Sequence, residues 1–267
     1  MPAASTPAQP DTGATPNKPR ILRLRLLTVA PLEAMRRFYR DIIGFRVLEE
    51  KEGEISFAAG ATRLTFLSAK PEQVRGDGGR GHGEPFYHFA FNIPQDKIQA
   101  ARAWQLERAA LINPSPGLLD PAYPNDVWHF RHWNAHSIFF WDPGFNIVEY
   151  IARHDLRNEP ALGNGFAAAD ILYVSEIGYV FDAPQLPQAT RMLHEKLGLE
   201  AYPRGSDPWA MGDERGLLLC LARKGELWGE NTLTPVKWDV FPTDAVVRGS
   251  EPGVHEFEGF PYRVRVE

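Results

Sequence analysis

The same order of elements, a strand, a helix and then short strands, recurs along this 267-residue chain. In the first copy, alternating apolar residues predict a strand at 21–29, and helical spacing predicts a helix from 31 to 43 that Gly44 ends. The second copy begins at Tyr87 and the third at Ile171, so the copies start about 65–85 residues apart. This repetition predicts an α+β fold and argues against a solenoid.

Short apolar segments after each helix complete the predicted copies. The further elements are strands at 45–49, 55–58 and 63–67; a helix from 94 to about 110; a hairpin at 136–152; a helix at 186–197; and strands at 208–211 and 217–222. The remaining segments at 236–241, 245–248 and 262–266 are β-like and lack a fourth helical pattern. We therefore expect a β-rich tail after the third copy.

Composition excludes several classes of protein and site. A net charge of −5 without a basic cluster does not indicate nucleic-acid binding. Cys220 is the single cysteine, which excludes a disulfide framework and a thiolate zinc site. No segment approaches the ~20 consecutive apolar residues that span a membrane. Residues 1–20 are rich in proline and lack the apolar core of a secretory signal, so we predict a disordered tail and a cytoplasmic protein.

Two segments between the copies are candidate connectors. The glycine-rich segment 75–83 lacks the Gly-Lys-Ser/Thr ending of a phosphate-binding loop, so a flexible connector is expected. The segment 113–135 is too long for an ordinary connection and is rich in proline, tryptophan and histidine. It is either a lid or pocket wall, or an irregular surface loop.

A carboxylate occupies an unusual position in the hairpin. Strand side chains alternate between faces, so Glu149 shares one face with Ile147 and Ile151. Burying an ionised carboxylate there costs several kcal/mol unless a cation or a hydrogen-bond donor meets it. A metal ion is one such partner. The alternative is a buried ion pair with an arginine, for which Arg23, Arg25 and Arg63 are candidates.

Three segments in order resemble the vicinal oxygen chelate superfamily, which includes glyoxalase I, extradiol dioxygenases, fosfomycin-resistance enzymes and bleomycin-binding proteins. The segments are residues 38–45 (FYRDIIGF), 87–91 (YHFAF) and 137–149 (SIFFWDPGFNIVE). The resemblance implies paired βαβββ units that form cup-shaped mixed sheets, with a third βαβββ-like unit and a degenerate β-rich tail. It also implies a first domain of two units at 21–155 and a second, degenerate domain at 170–267.

The resemblance assigns metal-ligand positions to His88, on the first strand of the second unit, and to Glu149, on its last strand. An imidazole and a carboxylate suit a divalent ion such as Zn, Mn, Fe or Ni. The first unit departs from the pattern, because Leu24 and Thr65 stand near the positions where further ligands are expected. Two protein ligands make a weak site.

His136 is the candidate for the missing third ligand or for a catalytic proton carrier. If residues 142–145 form a four-residue turn, His136 lies on the face of Glu149, displaced diagonally by ~7 Å. A shift of one residue in the register would turn it to the other face.

The aromatic segment before the hairpin supplies the other candidates. His132 is a candidate catalytic residue on a lid, and His129 beside it is a further candidate ligand or base. Substrate contacts are expected from two indole rings and two side-chain amides, namely those of Trp128, Trp133, Asn92 and Asn134.

Two functions follow from these expectations. The first is a divalent-metal-dependent enzyme of the lyase, isomerase, hydrolase or dioxygenase kind that acts on a small oxygenated substrate. The second is a metal-free protein that binds or sequesters a small molecule between aromatic walls. Residues 170–267 would in a third interpretation mainly cover a sheet edge or form a contact in a homodimer. Partners other than a small molecule and a second copy, such as nucleic acid or a membrane, are not expected.

Overall fold

The structure is a computed structural model, and it describes residues 20–74, 83–156, 163–203, 209–223, 238–249 and 252–267. The predicted tail, apart from Arg20, and all but one residue of the glycine-rich connector lie outside these ranges. In the described ranges, no helix is both long and apolar enough to cross a membrane.

The first copy of the repeat has the predicted order of elements. It consists of β1 (Ile21–Thr28), α1 (Leu32–Arg36), a π-helical turn (Arg37–Ile42), β2 (Arg46–Lys51), β3 (Glu54–Ala59) and β4 (Thr62–Ser68). Pro31 precedes the helix, where its missing N–H costs no hydrogen bond. Gly44 follows the π-helical turn with a φ of +93°, a conformation that favours glycine.

The second copy contains two more strands than the sequence indicated. It consists of β5 (His88–Ile93), α2 (Ile98–Leu106), β6 (Leu111–Ile112), β7 (Trp128–Phe130), β8 (Ala135–Trp141) and β9 (Ile147–Arg153). The additional strands are β6 and β7. The predicted long loop therefore includes β7, which pairs with β8 in antiparallel orientation. This pairing anchors the aromatic end of the loop to the sheet.

The third copy and the tail follow. Their elements are β10 (Tyr173–Phe181), α3 (Leu186–Leu197), β11 (Ala210–Asp213), β12 (Gly216–Ala222), β13 (Thr243–Val247), β14 (Gly253–Glu256) and β15 (Tyr262–Val266). The helix has the bounds predicted from its apolar spacing and ends at Gly198, which has a φ of +63°. The expected strand at 236–241 is wrong for the described residues 238–241, and β14 was not predicted.

The strands form two mixed sheets in the described part of the chain. The first sheet has the order β14-β15-β13-β1-β4-β3-β2, and the second has the order β11-β12-β10-β5-β9-β8-β6 with β7 beside β8. In each sheet, the first strand of one unit pairs in antiparallel orientation with a strand from residues 170–267, β1 with β13 and β5 with β10. The predicted α+β class with paired βαβββ units is confirmed. Both sheets combine strands from 21–155 and from 170–267, so the division into two domains stays a prediction.

Aromatic side chains pack the two sheets together. Phe66 on β4 contacts Phe89 on β5 with ring centroids 6.5 Å apart, and Phe45 contacts Phe91 at 5.6 Å. Phe89 and Phe91 thus face the first sheet, and the alternate residues of β5 face the opposite way. One strand therefore carries both a core face and a face that is free to build a site.

A buried carboxylate connects the hairpin turn to the first helix. Asp142 accepts hydrogen bonds from the Tyr39 hydroxyl at 2.7 Å and from the backbone N–H and side-chain amide of Asn146 at 2.9 and 2.8 Å. Burial raises the pKa of Asp142 to about 6, while these donors oppose the rise. Asp142 therefore belongs to the turn of the hairpin, and Tyr39 belongs to the core.

Two glycines in neighbouring hairpin turns of the first sheet give a matched test of the contact between the units. Gly60 has a φ of +56°, and a Cβ added there would overlap the carbonyl oxygens of Ile171 and Leu172, just before β10. We expect Gly60→Ala to lower the free energy of unfolding by the cost of left-handed backbone, about 1–2 kcal/mol, plus a clash with backbone of about 1–3 kcal/mol.

Gly53 is the control, because it has a φ of +72° and an added Cβ would meet no described atom within 4 Å. Gly53→Ala should show the backbone cost alone. Urea unfolding followed by tryptophan fluorescence measures both variants. Equal losses of stability in the two variants would contradict the packing of the β3–β4 turn against the start of β10.

Candidate metal centre

Three neighbouring strands of the second sheet bring two carboxylates together. Ala90 on β5 lies opposite Glu149 on β9 and opposite Glu176 on β10. An irregularity in the pairing between Val174 and Glu176 sets this register on β10. Because the residue between the two carboxylates has only a methyl side chain, both glutamates have room to converge above it.

His88 lies two residues before Ala90 on the same face and completes the group. Its Nε2 atom is 3.4 Å from Glu149 Oε2 and 3.7 Å from Glu176 Oε2. Its Nδ1 atom is 3.1 Å from the Ile147 carbonyl oxygen, which can only accept a hydrogen bond. In a neutral His88 the proton therefore lies on Nδ1, and the Nε2 lone pair points towards the two carboxylates.

These three side chains are each at most 2% exposed. Burial raises the pKa of Glu149, and the negative charge of Glu176 raises it further, against hydrogen bonding to His88. Burial lowers the pKa of His88, but the two carboxylates more than offset this and raise it to about 9. The group is therefore rich in negative charge and requires a cation, whether a proton or a metal ion.

The donor set fits a divalent metal ion. The ligand atoms of His88, Glu149 and Glu176 all lie within 4.8 Å of one another. Two ligand atoms of a tetrahedral site with bonds of ~2.1 Å are roughly 3.4 Å apart, which is the separation seen between His88 and Glu149. In addition, Glu149 Oε1 is buried and makes no hydrogen bond to any described residue. An unpaired buried oxygen of this kind is the atom that a cation would stabilise.

Glu176 has a second partner, Arg153. The Arg153 Nη2 atom forms an ion pair with Glu176 Oε1, and both side chains are fully buried. The three arginines that the sequence offered as partners of Glu149 lie on the first sheet. Arg23 is exposed on β1, Arg25 pairs with Glu54, and Arg63 pairs with Glu49. The sequence left open a buried ion pair between Glu149 and an arginine. The structure has a buried ion pair of this kind, but its members are Arg153 and Glu176.

A cavity of about 470 Å³ opens onto this group. Its floor carries His88, Glu149 and Glu176, and the described residues of its walls are mostly apolar. The wall residues are Leu118, Phe130, His132, Trp133, Phe139, Leu186, Trp209, Leu219, Cys220, Leu221, Ala222 and Trp238. Four of them come from the segment 113–135. This segment therefore forms part of the pocket wall, which is one of the two roles that the sequence left open for it.

The structure does not bring His136 to this group. Phe139 lies opposite Glu149, and Trp141 lies opposite Ile147. The turn between the strands is therefore five residues long, and the expected register is wrong by one residue. Because strand side chains alternate, His136 is on the other face of the sheet.

His136 instead belongs to a second cluster. Its Nε2 atom is 3.1 Å from Asp120 Oδ2, and its Nδ1 atom is 2.7 Å from His154 Nε2. His129 Nδ1 is 3.6 Å from the same Asp120 oxygen, so the ligand atoms are close enough for a metal site. However, the His129 and His136 rings stack with centroids 4.4 Å apart and planes 8° apart. Parallel rings do not direct two in-plane lone pairs at one point, so we interpret this cluster as a hydrogen-bonded anchor for the loop.

The other predicted residues occupy different places. Trp133 and His132 line the cavity. Trp128 is buried behind Phe139 and donates to the Ile112 carbonyl at 2.8 Å. Asn134 is exposed in a turn with a φ of 43° and donates to Asp155 at 2.8 Å.

Two further predicted positions also lie away from the cavity surface. Asn92 is buried beside Arg153, whose Nε it binds at 3.2 Å. Leu24 is buried in the first sheet opposite Ala245, so its position does not bear on this centre.

Sequence reasoning missed Glu176. It lies in a continuous apolar strand with every residue buried, which is the same signal that singled out Glu149. The signal was therefore present on the first strand of the third unit.

Comparison with known proteins supports the resemblance. Residues 20–104 match the family model described as the Glyoxalase/Bleomycin resistance protein/Dioxygenase superfamily, which confirms the resemblance over the segment that contains the motifs at 38–45 and 87–91. No curated protein sequence matches significantly.

Among solved structures, a putative dioxygenase from Bacillus subtilis has 13% identity over 94% of this chain and 86% of its own, with a TM-score of 0.54. That likeness concerns the fold alone. A lactoylglutathione lyase from Agrobacterium tumefaciens has 19% identity over 54% of this chain and 95% of its own, with a TM-score of 0.36. A fosfomycin resistance protein from Listeria monocytogenes, complexed with Mn(II) and sulfate, has 15% identity over 53% and 90%, with a TM-score of 0.33.

The histidine cluster predicts a pH dependence of stability. Burial lowers the pKa values of His136 and His154. The folded state therefore binds fewer protons than the unfolded state below the usual histidine pKa of about 6.5, and stability falls as pH drops from 7 through 6. We expect His154→Gln, which keeps a hydrogen-bonding side chain, to reduce this loss.

Thermal unfolding at pH 7.5 and pH 5.5 measures the effect as the difference between the two Tm values. His194→Gln is the control, because His194 is half-exposed on α3 and pairs with Glu200 on the surface. An equal Tm difference in wild type and His154→Gln would contradict this interpretation of the cluster.

Proposed function

We propose that this protein is a divalent-metal-dependent enzyme that acts on a small oxygenated substrate in the aromatic cavity. The observation that carries the proposal is the convergence of His88 Nε2 with the carboxylates of Glu149 and Glu176 in a buried site. Membership of the superfamily is consistent with lyase, isomerase, hydrolase or dioxygenase chemistry. A cation would also stabilise the buried carboxylates of Glu149 and Glu176.

His88, Glu149 and Glu176 would hold the ion, with Zn, Mn, Fe and Ni as candidates for this nitrogen and oxygen donor set. A bound ion would supply Lewis-acid polarisation of substrate oxygens. The Ile147 carbonyl holds the His88 ring in the tautomer that leaves Nε2 available. The ligand that was expected near the position of Leu24 would instead come from Glu176, on a strand of the third unit.

The walls of the cavity would bind the substrate and exclude water. Trp133 and Trp209 stack with ring centroids 5.2 Å apart on one side, and Phe139 lies against His88 at 5.8 Å. Flat aromatic or apolar groups gain dispersion contacts from such walls. His132 lines the same cavity and is largely exposed, so it is our candidate for moving a proton between substrate and solvent.

A second candidate function is supported by the same walls. An apolar cavity of this size suits a metal-free protein that binds or sequesters a flat small molecule. The two functions differ in their response to chelators. Binding of aromatic ligands that is unchanged by EDTA, together with the absence of bound metal, would favour sequestration.

The metal proposal predicts the loss of a bound ion in three variants. We expect protein purified without added metal to contain a divalent ion in near-stoichiometric amount. His88→Ala, Glu149→Gln and Glu176→Gln should each remove most of the bound ion, because the two remaining ligands would bind a divalent ion only weakly. Elemental analysis gives the content, and calorimetric titration with Mn(II) and Zn(II) gives the affinity.

The control uses a surface pair with the same chemistry. His194 and Glu200 lie 3.5 Å apart and are each 55% exposed, so His194→Ala and Glu200→Gln should retain the ion. Wild-type protein that contains no metal and binds neither Mn(II) nor Zn(II) at micromolar concentration would refute the proposal.

A further inference from the structure

We propose that Arg153 is a positioning residue that holds Glu176 by one oxygen and so presents the other oxygen to the metal centre. This inference rests on the proposed function of the centre. It concerns a residue that does not line the cavity and would not contact the ion. Its evidence is the way that three buried side chains share their hydrogen bonds.

The first step is the burial of the charge. Arg153 is 1% exposed and lies on the same face of β9 as Glu149, four residues further along the strand. A guanidinium in such a place has to be paired, because an isolated buried charge is strongly destabilising. Its charged partner is Glu176, through Nη2 and Oε1. The other carboxylate oxygen, Oε2, is the one that lies 3.7 Å from His88.

The second step is the reason for a one-oxygen contact. Arginine commonly binds a carboxylate with two parallel hydrogen bonds, which would occupy both oxygens of Glu176. Here Asn92 Oδ1 accepts from Arg153 Nε at 3.2 Å. The orientation of the Asn92 amide is set by its other end, because Nδ2 donates to the Glu214 carbonyl at 2.8 Å. Asn92 thus withholds Nε from Glu176, and Nη1 makes no hydrogen bond to a described residue, so Oε2 remains available.

The third step is the packing of the guanidinium. Arg153 lies 5.4 Å from the centroid of the Trp133 ring and 5.8 Å from that of Tyr202. Such contacts with aromatic faces stabilise a cation and fix its plane. Since Trp133 lines the cavity, Arg153 also connects a wall of the substrate pocket to a residue of the metal centre.

A different role for Arg153 predicts the opposite result. If the guanidinium only offset negative charge, its removal would make the centre more negative and tighten the binding of a cation. If it positions Glu176, its removal should weaken binding, since partners of metal ligands are typically worth 10–100-fold in affinity. The sign of the change therefore separates the two roles.

The experiment measures Mn(II) affinity by calorimetry and the visible absorption spectrum of the Co(II)-loaded protein, for wild type and Arg153→Met. We expect ~10–100-fold weaker Mn(II) binding and a shifted Co(II) spectrum. In a Glu176→Gln background, Arg153→Met should have no further effect. Arg20→Met, which removes an arginine from a partly exposed pair with Asp213, should match wild type.

Asn92→Ala provides a second test that changes no charge, in case Arg153→Met does not fold. It frees Nε to join Nη2 on Glu176, so Mn(II) binding should weaken by about 10-fold or more. Unchanged or tighter Mn(II) binding in either folded variant, while wild type binds the ion, would overturn the role of Arg153 and leave the metal centre intact. Absence of Mn(II) and Co(II) binding in wild type would instead overturn the proposed function itself.

Discussion

The antiparallel pairing of β5 with β10 is the contact on which the candidate centre depends. It joins the first strand of the second unit to the first strand of the third and places Glu176 opposite Ala90. On its other side, β5 pairs in parallel with β9, which places Glu149 opposite the same alanine. A small residue between two glutamates, with His88 two positions away, allows three ionisable groups to meet at one point. Without this pairing, Glu149 and His88 would lack the third side chain of the group, Glu176.

The burial of these charges depends on the rest of the sheet. The alternation of side chains along β5 places Phe89 and Phe91 in the aromatic contact with the first sheet, while His88 faces the cavity. The apolar face holds the strand in place, and so the opposite face can carry groups that would be unfavourable in an ordinary core. The sheet thereby offsets the cost of burying three ionisable side chains in one site.

The polar groups around the centre are also interdependent. Glu176 forms an ion pair with Arg153, Arg153 donates a hydrogen bond to Asn92, and Asn92 donates one to the backbone carbonyl of Glu214. The orientation of Glu176 Oε2 therefore depends on this series of contacts. Buried networks of this kind are favourable only when nearly every member is satisfied. Two atoms around the centre, Glu149 Oε1 and Arg153 Nη1, make no hydrogen bond to a described residue, and the carboxylate oxygen belongs to a ligand of the proposed cation.

The sequence by itself determined the repeated strand–helix–strand units and the superfamily motifs, and it identified His88 and Glu149 as candidate ligands. These features follow from local periodicity and from one carboxylate among aliphatic residues, which any single strand reveals. Only the tertiary structure decided which units pair. It therefore decided that Glu176, rather than a residue near Leu24, lies beside His88 and Glu149, because strand partners distant in the chain are not encoded by local pattern. It also decided the hairpin register, where one additional turn residue moved His136 to the opposite face.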